Sequence, residues 1–173
     1  MKKILLLSIL LWTGWVSAQA IDLDKENRDP KYVETIVSRS QKIVDKLGIN
    51  DAKVAEDVRN VIANRYFTLN DIYETRDAKV KEIKESDLVG EAKNNALKAA
   101  EDAKDAALYR IHFAFPADLS LFLTEEQIEA VKDGMTYGVL KITYDSHLDM
   151  IPSLKKEEKE AFWRYCIGSG WLQ

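Results

Sequence analysis

The sequence predicts an all-α fold: an elongated helical bundle with a long antiparallel helical hairpin and one extended, irregular segment near residues 135–152. Apolar residues recur at three- and four-residue intervals through most of the chain, the signature of helices that each bury one face. Glycine and proline are scarce where those intervals run, so few positions can end a helix. The stretch from Lys132 to Leu154 breaks the pattern, with Leu140, Ile142 and Tyr144 alternating against Val139, Lys141 and Thr143 as in a strand.

Residues 1–20 carry the three parts of a secretory signal: Lys2 and Lys3, an apolar run from Ile4 to Val16, and Ala18-Gln19-Ala20 as a small-x-small cleavage site. The run is interrupted by Ser8, Thr13 and Gly14 and falls short of the roughly 20 apolar residues that span a bilayer. Cleavage after Ala20 is therefore expected, with a periplasmic or secreted product and no membrane insertion afterwards. The mature chain of 153 residues is long enough for one domain, taken as 29–173. It has one cysteine, Cys166, which cannot form an internal disulfide, so the core must supply the stability.

Ile21 to Arg28 reads as a polar, aperiodic, flexible leader. Asp29 and Pro30 then form a cap and first helical position, and Val33, Ile36, Val37, Ile43, Val44 and Leu47 make the first apolar stripe, ended by Gly48. Asn50 or Asp51 restarts a helix with the stripe Val54, Val58, Ile62, Leu69, Ile72, Val80 and Ile83, uninterrupted until Gly90. It is expected to exceed thirty residues, or on the order of 45 Å at about 1.5 Å per residue. The third helix is alanine-rich, which lets a neighbour approach closely, and Pro116 should bend or end it near Phe115. Thr124 and Gln127 form a capping box that opens the next helix, and Gly134 closes it. A further helix begins near Lys155.

After removal of the first twenty residues, 23 basic and 29 acidic residues leave a net charge of −6. With no clustered basic patch, nucleic acid and anionic membrane surfaces are excluded as partners. No H-E-x-x-H, G-x-S-x-G, phosphate-binding loop or dinucleotide fingerprint is present, and no enzyme activity or cofactor is expected. Asp145-Ser-His-Leu-Asp149 lacks the further ligands that zinc needs, and calcium avoids imidazole, so no metal is assigned.

Two groups of residues form the candidate ligand site. On the second helix, Arg59, Ala63, Tyr66, Asn70, Tyr73 and Asp77 share a face offset from the apolar stripe, while Arg65 and Arg76 interrupt that stripe. Rings interleaved with planar polar groups suit sugars, whose apolar faces stack and whose hydroxyls hydrogen-bond. They equally suit packing between helices, with Asp71 and Asp77 as internal partners of the arginines. The segment from Lys132 to Leu154 has no strand partner, so its backbone must be satisfied from elsewhere, and its contribution is Lys132, Asp133, Tyr137, Tyr144 and Asp149. The whole candidate set is Arg65, Tyr66, Asn70, Tyr73, Arg76, Lys132, Asp133, Tyr137, Tyr144 and Asp149.

Asn70-Asp71-Ile72, Arg76-Asp77-Ala78-Lys79, the Leu123-Thr124-x-x-Gln127 start, VKDGMTYGV and TYDSHLDMIPSL resemble a secreted Bacteroidota family of unknown function to which sugar binding is ascribed by conjecture. The resemblance runs from the first helix to about Leu154, and it implies a secreted helical carbohydrate-binding protein without naming a catalytic residue. The ending EAFWRYCIGSGWLQ, with Trp163 and Trp171, departs from the family pattern and implies a C-terminus altered or cut short. L-T-x-x-Q is also similar to the motif of small periplasmic chaperones of the Spy and CpxP type. That alternative implies an unfolded or partner protein as ligand.

Overall fold

The computed structural model describes residues 20–169, and of Leu140 and residues 164–169 the backbone alone. The expected signal segment up to Gln19, Trp171 and the side chain of Cys166 lie outside that description. Among the described residues there are seven helices: α1 (Pro30–Val44), α2 (Ala52–Glu85), α3 (Gly90–His112), α4 (Ala114–Leu119), α5 (Glu125–Met135), α6 (Val139–Met150) and α7 (Lys156–Ser169). No strand occurs among them, and no helix is long and apolar enough to cross a membrane.

Local chemistry sets the helix ends. Asp29 accepts from the Tyr32 amide with Pro30 in the first turn, and Asp51 Oδ1 accepts from Lys53 and Val54 at 2.8 and 3.1 Å. α2 then runs 34 residues before Ser86 Oγ turns back to the Ile83 carbonyl at 2.7 Å. α3 lies against it as the second arm of the hairpin, bridged by Arg76 Nη1 to Glu101 Oε1 at 2.7 Å and by Lys93 Nζ to the Lys84 carbonyl at 3.2 Å. The break after α3 comes at Phe113, earlier than Phe115. Pro116 occupies the first turn of α4 instead, where its ring would have clashed with the carbonyl four residues back, at His112, had α3 continued.

The core lies at one end of the hairpin. Ile43, Val44 and Leu47 of the first helix and its exit meet Val58, Val61 and Ile62 of α2, Phe115, Leu119 and Leu123 around α4, and Ile128 and Val131 of α5. Ile36, Ala63 and Phe67 extend it along α2. Phe67, Ile62, Val58, Leu119 and Val131 are completely enclosed, each contributing roughly 1.5–3 kcal/mol over an exposed position. The capping box forms as expected, and Gln127 Nε2 also donates to the Leu47 carbonyl at 2.8 Å, fastening α5 to the end of the first helix. Gly134 does not close α5; it sits inside the last turn, where a Cβ would come within 3.1 Å of Ile43, so glycine permits the close approach of α5 to α1.

Two expectations are corrected. The segment near 135–152 is not extended: residues 139–150 form α6, packed on α7. A short apolar run alternates and also fits a 3.6-residue period, and with no strand to pair with, a helix is the arrangement that satisfies its own backbone. Tyr144, His147 and Leu148, spaced three and one apart, form its half-buried face. The segment Ile21–Arg28 is not a free leader either. It lies along α2, with Ile21 N–H donating to Asp57 Oδ1 (2.9 Å), Asn60 Nδ2 to the Ile21 carbonyl (2.7 Å), Asn64 bonded to both Asp22 and Asp24 backbone, and Arg28 bidentate to Asp71 (2.7 and 2.8 Å). Ile21 and Leu23 pack on the core, and the Arg28 guanidinium covers the Phe67 ring at 4.6 Å.

Candidate binding site

The helix-two face and the segment after Gly134 meet at one point. Tyr66 of α2 and Tyr137 of the α5–α6 turn approach the same guanidinium, that of Arg39 on α1, at 5.6 and 5.4 Å from their ring centroids. Both distances lie within cation–π range. Glu34, Thr35, Ser38 and Lys42 continue the α1 face beside Arg39, and with Tyr137 they line an open cleft of about 490 Å³.

Tyr137 is held there by its backbone. The carbonyls of Lys132, Asp133 and Gly134 take the amides of Thr136, Tyr137 and Gly138, and the chain turns through two left-handed residues, Tyr137 at φ 56° and Gly138 at φ 72°. Glycine adopts that conformation freely; a tyrosine there costs of order 1 kcal/mol. The ring is 66% exposed, so core burial does not offset the strain. Tyr66 is half-buried, its hydroxyl has no hydrogen-bond partner, and burial pushes it up to about 12, keeping the proton on at physiological pH.

The remaining predicted residues are distributed elsewhere. Arg65 is buried, with Nη1 donating to the Ile111 carbonyl at 3.0 Å and the guanidinium over Phe115, so it ties α2 to the end of α3. Burial holds it below the usual arginine range. Arg76 bonds Glu101 across the hairpin and lies against Asp77 Oδ1 at 2.7 Å, with the Tyr73 ring 5.6 Å from its guanidinium. Glu101, shared with Lys104 at 2.8 Å, is held below the usual carboxylate range by Lys104 and Arg76. Arg76 and Lys104 line a cleft of about 800 Å³ between α2 and α3 whose other walls include Ala100, Ala103 and Ala107, and both cations are already paired with Glu101. Asn70 is half-buried on α2. Lys132 Nζ bonds Glu129 at 2.6 Å, and Asp133 contributes its backbone to the Tyr137 turn.

Tyr144 points into the α6–α7 contact: its hydroxyl donates to the Lys159 carbonyl at 3.3 Å and its ring stacks on Phe162 at 5.8 Å. Asp149 is exposed at the end of α6. His147 Nδ1 lies 2.8 Å from the Thr143 carbonyl, and no group of three metal-binding side chains occurs among the described residues. Tyr66 and Tyr137 are therefore brought together at Arg39, Tyr73 and Arg76 meet separately on α2, and the remaining six share neither contact. The residue that joins the two tyrosines, Arg39, lies outside the predicted set. Its signal was present: it lies three residues after Ile36 and four before Ile43, a cation on the apolar stripe of the first helix.

Fold and cleft together define an all-α bundle with an arginine held between two tyrosines at its surface. The chain belongs to the family described as "Protein of unknown function (DUF3826)", whose model matches residues 33–167. The match takes in α7 beyond Leu154, so the helix after that position falls within the family's own pattern rather than outside it. No curated protein matches the chain.

Proposed function

We propose that the protein is an exported, non-enzymatic carbohydrate-binding protein whose site is the cleft of Arg39 and Tyr137, with Tyr66 against the same guanidinium. The observation that carries this reading is Tyr137: an exposed residue kept in a strained backbone conformation, lining one cleft with hydroxyl, carboxylate and cationic side chains and lying 5.4 Å from the Arg39 guanidinium. A pyranose stacks its apolar face on such a ring while Glu34, Ser38 and Arg39 bond its hydroxyls. Calorimetric titration of the mature protein with neutral and acidic oligosaccharides tests it. Saturable binding that Tyr137→Ala weakens by about tenfold or more is expected, in line with the 1–2 kcal/mol of a lost ring contact. Absence of heat and of glycan-array signal across a broad set of polysaccharide fragments would remove the proposal.

A second reading, a helical periplasmic chaperone, is favoured by α6 and its exit, where Val139, Ile142, Met150 and Ile151 are exposed. Exposed apolar residues of this kind suit an unfolded client. A chaperone would delay aggregation of a denatured protein at equimolar ratio, and Ile142→Asp would abolish the delay. No delay by the unaltered protein rules this reading out.

A further inference from the structure

The segment docked on α2 begins with a contact of unusual chemistry. Asp57 is 3% exposed, and the donor that meets its Oδ1, at 2.9 Å, is the backbone nitrogen of Ile21. The same residue is clamped on its other side by Asn60 Nδ2, itself 6% exposed, and its side chain packs against the core. A buried carboxylate facing a neutral amide is poorly compensated, because an ionised group taken from water needs an opposite charge or several donors. The small-x-small sequence Ala18-Gln19-Ala20 ends at the preceding residue, and Ala20 is exposed.

We propose that Ala20–Ile21 is the processing site and that the α-ammonium released at Ile21 becomes the partner of Asp57, so that export and final folding are coupled through one ion pair. Hydrolysis breaks the Ala20 C–N bond: the hydroxyl of water goes to the Ala20 carbonyl carbon and its hydrogen to the Ile21 nitrogen. The new amine, with an ordinary pKa near 8, takes up a further proton at neutral pH. The atom that was an amide donor at 2.9 Å from Asp57 is then a full positive charge at that same place. The rest of the segment supplies the register: Asn64 holds the backbone of Asp22 and Asp24, and Arg28 grips Asp71, so Ile21 N cannot slide relative to Asp57 without losing all of them. Cleavage one residue away in either direction places the charge about 3.8 Å along the chain and off the carboxylate.

The experiment uses the full chain exported with its own leader. Intact mass and N-terminal sequencing are expected to give Ile21 as the first residue; a product starting at Gln19, from cleavage after Ala18, overturns the proposal. Four mature proteins then form a cycle: free Ile21 or Ala20-extended start, each with Asp57 or with Asp57→Asn, which keeps an oxygen acceptor and removes the charge. With Asp57, the extension is expected to lower the folding equilibrium constant by about tenfold or more, a shift in thermal midpoint of roughly 3–6 °C. With Asp57→Asn the extension is expected to have almost no effect. Nα-acetylation of the Ile21-starting chain, which leaves Asp57 untouched, must reproduce the loss caused by extension. Equal midpoints for free, acetylated and extended chains refute the ion pair. Sugar titration is independent of this outcome.

Discussion

Replacing Tyr137 in two ways separates what its backbone costs from what its ring supplies. Tyr137→Ala removes the ring but leaves a Cβ at φ 56°, while Tyr137→Gly removes both. Left-handed backbone costs a non-glycine residue about 1–2 kcal/mol, and glycine's extra freedom in the unfolded chain takes back about 0.4–1 kcal/mol. The glycine variant should therefore be more stable than the alanine variant by about 0.5–1 kcal/mol, or roughly 1–4 °C in a domain of this size. The ring's contact with the Arg39 guanidinium, at 5.4 Å and largely exposed, is worth about 0.5–1 kcal/mol, so alanine falls below the unaltered protein and glycine lands close to it. Denaturant midpoints of the three proteins, with sugar titrations of each, make the measurement. Glycine no more stable than alanine refutes the strained turn. Retained sugar affinity in both refutes the ring as the binding platform.

Arg76→Met removes the Glu101 contact that crosses the hairpin, and the neighbouring Asp77 contact, and should lower the thermal midpoint while leaving sugar affinity unchanged; a large affinity loss with an intact fold would return Arg76 to the site. Gln127→Ala loses both the capping-box contact and the bond to the Leu47 carbonyl, and should cost about 1–2 kcal/mol in urea denaturation, more than Thr124→Ala, which spares the second bond. Asp71 is held below the usual carboxylate range by Arg28, so its share of stability is fully present above the unfolded carboxylate value near 3.9 and is lost as pH falls through its depressed folded value. Asp71→Asn should therefore flatten the acid limb of the stability–pH curve, seen as a smaller difference between pH 5 and pH 2.

How much of this was legible in the residues depends on the range of the interaction that decides each element. Asp51, the unbroken stripe to Ile83 and the Thr124–Gln127 box act within a few residues of themselves, so α2 and the start of α5 could be read directly. α6 could not, because Val139 to Tyr144 fits two periods and the choice lies in the missing strand partner and in Phe162, which comes from the next helix. The segment 21–28 is polar and aperiodic, and its order comes from Asp57, Asn60, Asn64 and Asp71, side chains 36 to 43 residues away. Within the candidate set, Tyr66 stands out in the sequence by its helix face and Tyr137 by its unusual surroundings. Their connection runs through Arg39, and no local pattern in a single helix reveals a contact among three separate elements.

The hairpin of α2 and α3 leaves the core clusters after Phe67 and the chain rejoins them at Phe115, so its outer part, in which Ile83, Ala100 and Leu108 are buried separately, is spliced into one hydrophobic interior. Such a spliced arm is a closed detour. Whole turns removed in matched numbers from both strands of it would shorten the molecule without moving Leu47 from Gln127, Arg39 from Tyr137 or Ile21 from Asp57, which makes arm length a dimension open to variation while the cleft and the docked N-terminal segment stay fixed.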